Sequence, residues 1–289
     1  MTTTHGVAVR LYDQHPALGR HQVLDARSLN WLHPHPAPAP KAVHWTVKAP
    51  VLDQQHLLQQ GIRTSRIVTG TSDADALSSC TANAATAALS CIASAEYCTA
   101  AGLDLEDATA AEEWAIALYS EATRQDEWLT RQWPADDCGS SGLGVARALH
   151  ARGLINSYVH ATTADTLIGL LQHGPVLLGM PWYTAWFQPP SSGNLGETAG
   201  WEASGVAGGH EVCATGIEQL GLDAHGRVDP ARTVLRVRNS WGASWGLDGD
   251  FLLPLTLYTA LRREIDAIQL RPPLPAAPHL LDSREGEPL

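Results

Sequence analysis

The hydrophobic rhythm of the chain changes near its middle. From Cys80 to about Cys98 the sequence is rich in Ala, Ser and Thr and lacks Gly and Pro, which predicts one helix packed closely on several sides. Trp114, Leu118 and Ala122 then recur at helical spacing behind Thr109-Ala110-Ala111-Glu112, which has the form of a capping box. Ser140 or Ser141 can cap a third helix running through Val145, Ala148 and Leu149 to Gly153. A fourth, over Leu167, Leu170 and Leu171, stops at Gly174-Pro175. Beyond that point the apolar residues fall in short runs, 176–180, 212–217, 234–238 and 250–253, separated by turn residues, and these read as strands. Helices first and strands second imply an α+β chain of two lobes, with no internal repeat.

The ends differ from this body. His33-Pro34-His35-Pro36-Ala37-Pro38-Ala39-Pro40 alternates proline and predicts an extended connector, so residues 1–46 read as an N-terminal extension. Residues 47–271 form the folded domain, helix-rich to about 173, and a proline-rich tail covers 272–289.

Composition narrows the function. With 289 residues the chain can bury a substantial core, but 19 basic against 30 acidic residues give a net charge of −11 that repels a phosphate backbone. Nucleic acid is therefore not an expected partner. No apolar stretch is long enough for a membrane span and Met1-Thr2-Thr3-Thr4-His5 lacks the form of a secretory signal, so the expectation is a soluble protein, cytoplasmic or virion-associated. Five cysteines leave at least one unpaired, the missing signal makes reduced thiols the expectation, and no pair has zinc-ligand spacing.

Three separated blocks carry chemistry: Cys80 in SSCTANA, His210 in GGHEV and Asn239 in RVRNSWGASWG. His210 follows Cys80 by 130 positions (210 − 80) and Asn239 by 159 (239 − 80), at or slightly beyond the roughly 130–150 of the papain pattern. A helix N-terminus and an imidazolium partner would lower the pKa of Cys80 and supply the thiolate. The Asn239 carboxamide would fix the imidazole tautomer, and Trp241 or Trp245 would shield that bond from water.

These blocks resemble those of the papain-like cysteine peptidases, most closely a bacterial and phage-associated branch in which CTANA or CTGNA follows the same order. The resemblance runs from about Val43 to about Leu270 and is most specific in RVRNSWGASWG. It implies a two-lobed fold, with a helical lobe and a β-barrel-like lobe around a cleft. It further implies peptide-bond hydrolysis through an acyl-enzyme, with Cys80 as nucleophile, His210 as base, Asn239 as orienter and Gly209 and Trp241 in support. No cofactor and no metal are implied. Partners would be a peptide or protein substrate and, in a phage setting, a virion or host protein.

One departure concerns the oxyanion donor. The family's glutamine stands about six residues before the nucleophile, where this chain has Ala74. Ala49-Pro50-Val51-Leu52-Asp53-Gln54 matches the family's approach to that glutamine, so Gln54 is the expected donor and residues 55–74 an inserted loop, placed to narrow or cover the cleft. Residues 1–32 could serve as an inhibitory prosegment, an assembly arm or a plain extension, and their shortness beside the family's prosegments favours the last. The competing readings are a papain-like fold kept as a binding or structural module, and an acyltransferase or cell-wall amide hydrolase using the same nucleophile.

Overall fold

The computed structural model describes residues 2–4, 7–12, 15, 17–25, 40–64 and 75–273. Residues 33–39 of the proline-alternating connector, residues 65–74 of the expected insertion and residues 274–289 of the tail lie outside them. Three short strands, β1 (Thr2–Thr4), β2 (Val7–Arg10) and β3 (Gln22–Asp25), form an antiparallel sheet that the hydrophobic pattern did not anticipate. Between β2 and β3, residues 17–21 run along the seam between the lobes. Ala17 and Leu18 join the apolar cluster of the sheet lobe and Val23 joins that of the helical lobe.

The helical lobe contains α1 (Cys80–Ile92), α2 (Ala95–Ala100), α3 (Ala108–Gln125) and α4 (Gly142–Ala151). Every residue of α1 from Cys80 to Ser90 is buried, which small side chains permit because neighbours can approach on all sides. The single helix expected to Cys98 breaks at Ala93, which is extended at φ −85° and ψ 153°. Ser94 then caps α2 by accepting from the Tyr97 N–H, a local bond that competes with continuing the helix.

The expected capping box is also displaced. Asp107, not Thr109, caps α3, accepting from the N–H groups of Thr109 and Ala110 at 2.8 and 3.2 Å. Glu112 is instead buried between elements, accepting from Asn83 Nδ2 at 2.6 Å and from the Asp53 N–H at 2.9 Å. Burial pushes its carboxyl up to about 7. This bridge fixes the backbone just before Gln54 against α1 and α3.

Ser141 caps α4 as expected, accepting from the Gly144 N–H at 2.9 Å. Buried Asp126, just past α3, accepts from Ser140 Oγ at 2.6 Å, Ser141 Oγ at 2.7 Å and the Ser141 N–H at 3.1 Å. Asp126→Ala would strand these donors in the interior and should destabilise the fold by about 3 kcal/mol or more. A lowered urea midpoint at unchanged m-value is the expected readout.

The second lobe is a six-stranded antiparallel sheet of order β4-β9-β5-β6-β7-β8. Its strands are β4 (Ser157–His160), β5 (Val176–Tyr183), β6 (Val206–Gln219), β7 (Val234–Arg238), β8 (Asp250–Pro254) and β9 (Asp266–Arg271), with α5 (Ala164–Leu171) and α6 (Leu255–Leu261) packed on it. The chain is thus α+β, but the expected barrel-like closure does not occur. The sheet ends at β4 and β8, and its apolar face is sealed by Leu167, Ile168 and Leu171 of α5 and by Leu257, Tyr258 and Leu261 of α6. Helices covering that face leave closure with no further apolar surface to bury. Among the described residues, no helix is long and apolar enough to cross a membrane. All five cysteines are free.

Candidate active site

His210 lies on β6 opposite Met180 of β5 and is fully buried. Its Nε2 is 2.7 Å from Asn239 Oδ1, and that oxygen also accepts the Ser240 N–H at 2.8 Å, which identifies it as the carbonyl end of the amide. A carbonyl oxygen only accepts, so Nε2 donates and the neutral ring presents Nδ1 as its free acceptor. Among the described residues Nδ1 has no hydrogen-bond partner. Trp241 stacks on the ring at 4.7 Å and 25°, and Trp182 meets it edge-on at 4.9 Å, so the His210–Asn239 bond lies in an aromatic sheath. Trp241 is expected in this role from its motif; Trp182 reaches the ring because β5 runs beside β6, which its distance in sequence hides.

Cys80 opens α1, as predicted, and its thiol lies close to the backbone of Glu211, the residue after His210, and to that of Gly19. The nucleophile candidate and the imidazole strand therefore meet across the lobes. The expected low thiol pKa is not found. Burial pushes the Cys80 thiol up to about 12, and burial draws the His210 imidazole down to about 4 against the opposing pull of Asn239. Desolvation outweighs the helix terminus because Cys80 has no exposed surface at all. As folded here, the pair is a neutral thiol and a neutral imidazole.

Gln54 is fully buried between the Asn239–Ser240 corner and the approach to α1. Its Oε1 accepts from Ser240 Oγ at 2.6 Å, and its Nε2 donates to the carbonyls of Leu77 at 2.9 Å and Ala17 at 3.2 Å. The Leu77 N–H donates to the Gln54 carbonyl at 3.0 Å and the Leu57 N–H to that of Asp75 at 2.8 Å, so the chain returns to Gln54 three residues before Cys80. The described part of the insertion turns away from the cleft: Leu57 and Ile62 are buried in the helical cluster, and the Gln60 carbonyl accepts from Thr109 Oγ1 at 3.1 Å.

Among the described residues, the N-terminal segment runs over the site. The N–H groups of Gly19 and Arg20 both donate to the Gly209 carbonyl, at 3.1 and 3.0 Å. On the opposite wall the Ser140 N–H donates to the Gly19 carbonyl at 2.7 Å and the His21 N–H to the Ser140 carbonyl at 2.8 Å, a parallel bridge centred on Arg20. The Ala17 carbonyl accepts from Trp241 Nε1 at 3.1 Å as well as from Gln54. Gly19 has no room for a side chain, since a Cβ would overlap the Ser78 carbonyl.

Solved structures similar to this chain are cysteine proteases. Xylellain from Xylella fastidiosa shares 19% identity over 90% of this chain and 97% of its own, with a TM-score of 0.48. The bromelain protease of Ananas comosus, in an inhibitor complex, shares 14% over 81% and 100% (TM-score 0.47), and the ragweed pollen allergen Amb a 11 in its proform shares 15% over 89% and 65% (TM-score 0.47). Bacterial and plant proteins appear alike, and no branch is singled out. No protein-family model and no curated protein matches the chain.

Among the described residues no group of three or more His, Cys, Asp or Glu side chains could hold a metal ion. The chemistry available is that of a thiol, an imidazole with one free nitrogen, a carboxamide orienting it and two donors, Gln54 Nε2 and Trp241 Nε1, converging on one carbonyl oxygen. Residues 17–21 are what sequence reading missed. Nothing in Ala17-Leu18-Gly19-Arg20-His21 specifies which part of the fold it enters.

Proposed function

We propose that this protein is a papain-like cysteine peptidase held closed by its own residues 17–21. Cys80 attacks a peptide carbonyl, His210 takes the thiol proton on Nδ1 and returns it to the leaving amine, Asn239 holds the ring, and Gln54 Nε2 with the Cys80 N–H holds the oxyanion. The observation that carries this reading is the His210–Asn239 bond at 2.7 Å under Trp241, with Cys80 against the next residue of the same strand. Of the three roles open to the N-terminal extension, the path of residues 17–21 along Gly209 and Ser140 supports the inhibitory one. A covered thiol of pKa about 12 is not a nucleophile at neutral pH.

The test uses the full chain carrying Gly19→Leu, which removes the segment's fit over Ser78. This variant should cleave denatured casein, and adding Gln54→Ala should lower kcat by about 10²- to 10³-fold with a smaller change in KM. Absence of cleavage at micromolar enzyme would end the peptidase reading. The complete burial of Cys80 favours one alternative, a closed fold used as a binding or structural module, and that outcome would select it.

A further inference from the structure

The sheet register places two carboxylates side by side where no catalytic step uses them. Gly179 of β5 pairs with Glu211 of β6 on one side and with Asp266 of β9 on the other, and cross-strand neighbours share a face. Because Gly179 has no side chain, the space between the two acids is free, and Arg20 fills it. A Cβ on Gly179 would lie 2.5 Å from Arg20 Nε, 2.7 Å from Asp266 Oδ1 and 2.7 Å from Glu211 Oε2, so guanidinium and both carboxylates surround one point. Gly142 at the start of α4 keeps the second wall thin, since a Cβ there would lie 2.8 Å from Glu211 Oε1 and 3.1 Å from Asp266 Oδ2.

Arg20 is ion-paired to Asp266, donates to the Glu264 carbonyl at 3.1 Å and has no exposed surface. Glu211 is equally buried, yet neither of its oxygens has a hydrogen-bond partner among the described residues. Arg20 is the charge that stabilises its ionised form, against burial that pushes the carboxyl up to about 8. A buried carboxyl with no donor either keeps its proton or is met by a cation, and two in one pocket favour the entry of a cation. A planar guanidinium with five donors matches two carboxylates and a carbonyl better than an ammonium does. Arg20 belongs to the segment that must leave for a substrate to reach Cys80, so its departure empties an acidic pocket beside the nucleophile.

We infer that the Gly179 pocket, walled by Glu211 and Asp266, is a specificity site for a basic side chain, arginine above lysine, of the peptide substrate, and that Arg20 occupies it as a built-in mimic. The inference rests on the peptidase reading for its substrate, and the experiment separates the two. The full-length Arg20→Ala chain is titrated calorimetrically with agmatine, an alkylguanidine, and assayed with fluorogenic peptides carrying Arg or Leu at each position in turn. Agmatine should bind Arg20→Ala but not the wild type, and at least tenfold more weakly once Glu211→Gln is added. Peptides should show an Arg-over-Leu preference of at least tenfold at one position, reduced at least tenfold by Glu211→Gln.

Agmatine uptake without any cleavage supports the pocket and overturns the peptidase. Cleavage without arginine preference or agmatine uptake does the reverse. A second measurement needs no added ligand: iodoacetamide should alkylate Cys80 faster in Arg20→Leu than in Arg20→Lys, because an apolar side chain leaves both acids unmatched. Equal rates, or a slower Arg20→Leu, would overturn the pocket.

Discussion

Replacing Gly19 with leucine should raise the rate at which iodoacetamide alkylates Cys80 by at least 100-fold at pH 8. At a pKa of about 12, only about 10⁻⁴ of the Cys80 thiol is thiolate at that pH. Once the segment is lifted, the helix N-terminus and a hydrated, protonatable His210 are set to bring the pKa to roughly 3.5–7.5, where thiolate dominates. The thiolate gain alone approaches 10⁴-fold, and reduced nucleophilicity at lower pKa offsets part of it. The sign of the pH dependence follows. In the wild type the reactive form is scarce below pH 12, so the rate should climb about tenfold per unit from pH 7 to 10. In Gly19→Leu it should level off near neutrality. A wild-type chain that already levels off near pH 7 would show that residues 17–21 do not close the site in solution. Leucine suits this test because its Cβ must occupy the space of the Ser78 carbonyl, and no rotamer avoids that.

Cys80→Ala, introduced into the Gly19→Leu chain, should abolish peptide cleavage, a loss of about 10⁴- to 10⁶-fold. Without the sulfur no acyl-enzyme forms, and the remaining donors can only polarise a carbonyl for attack by water. Cys80 is buried and small, so alanine removes one atom and should leave the circular dichroism spectrum and thermal midpoint nearly unchanged. The decisive readout is mass spectrometric. Gly19→Leu mixed with a slowly hydrolysed ester should carry an acyl group on Cys80, and the double variant none. Cleavage that survives Cys80→Ala would move the chemistry elsewhere in the molecule.

How much of this was legible varies with the distance over which each feature is determined. The helix opened by Cys80 and the cap at Ser141 depend on neighbouring residues, and both were readable. The helix break at Ala93 and the shift of the α3 cap to Asp107 were misread. In each case two local solutions compete: Ser94 starts a new helix after the break, and the α3 cap depends on whether Glu112 is wanted elsewhere. It is, by Asn83 and by the Asp53 N–H. Strands β4 and β9 escaped because neither has a distinctive alternation, and the sheet stays open because α5 and α6 cover the face that closure would have buried.

The candidate residues followed the same division. Cys80, His210 and Asn239 stand in short motifs whose order and spacing are properties of the chain alone, so their identity as candidates needed no coordinates. The protonation of Cys80 and His210 could not be read that way. It is set by burial: Cys80 lies close to Gly19, some sixty positions upstream, and His210 packs against Trp182 and Trp241. The acidic pocket is likewise absent from any motif: Glu211 and Asp266 are 55 positions apart (266 − 211), and only the pairing of β6 and β9 with β5 brings them to Gly179. Sequence determined which groups are available, because chemistry resides in side-chain type and order. The tertiary structure alone decided which of them are dry, charged and covered, because solvation depends on what folds on top.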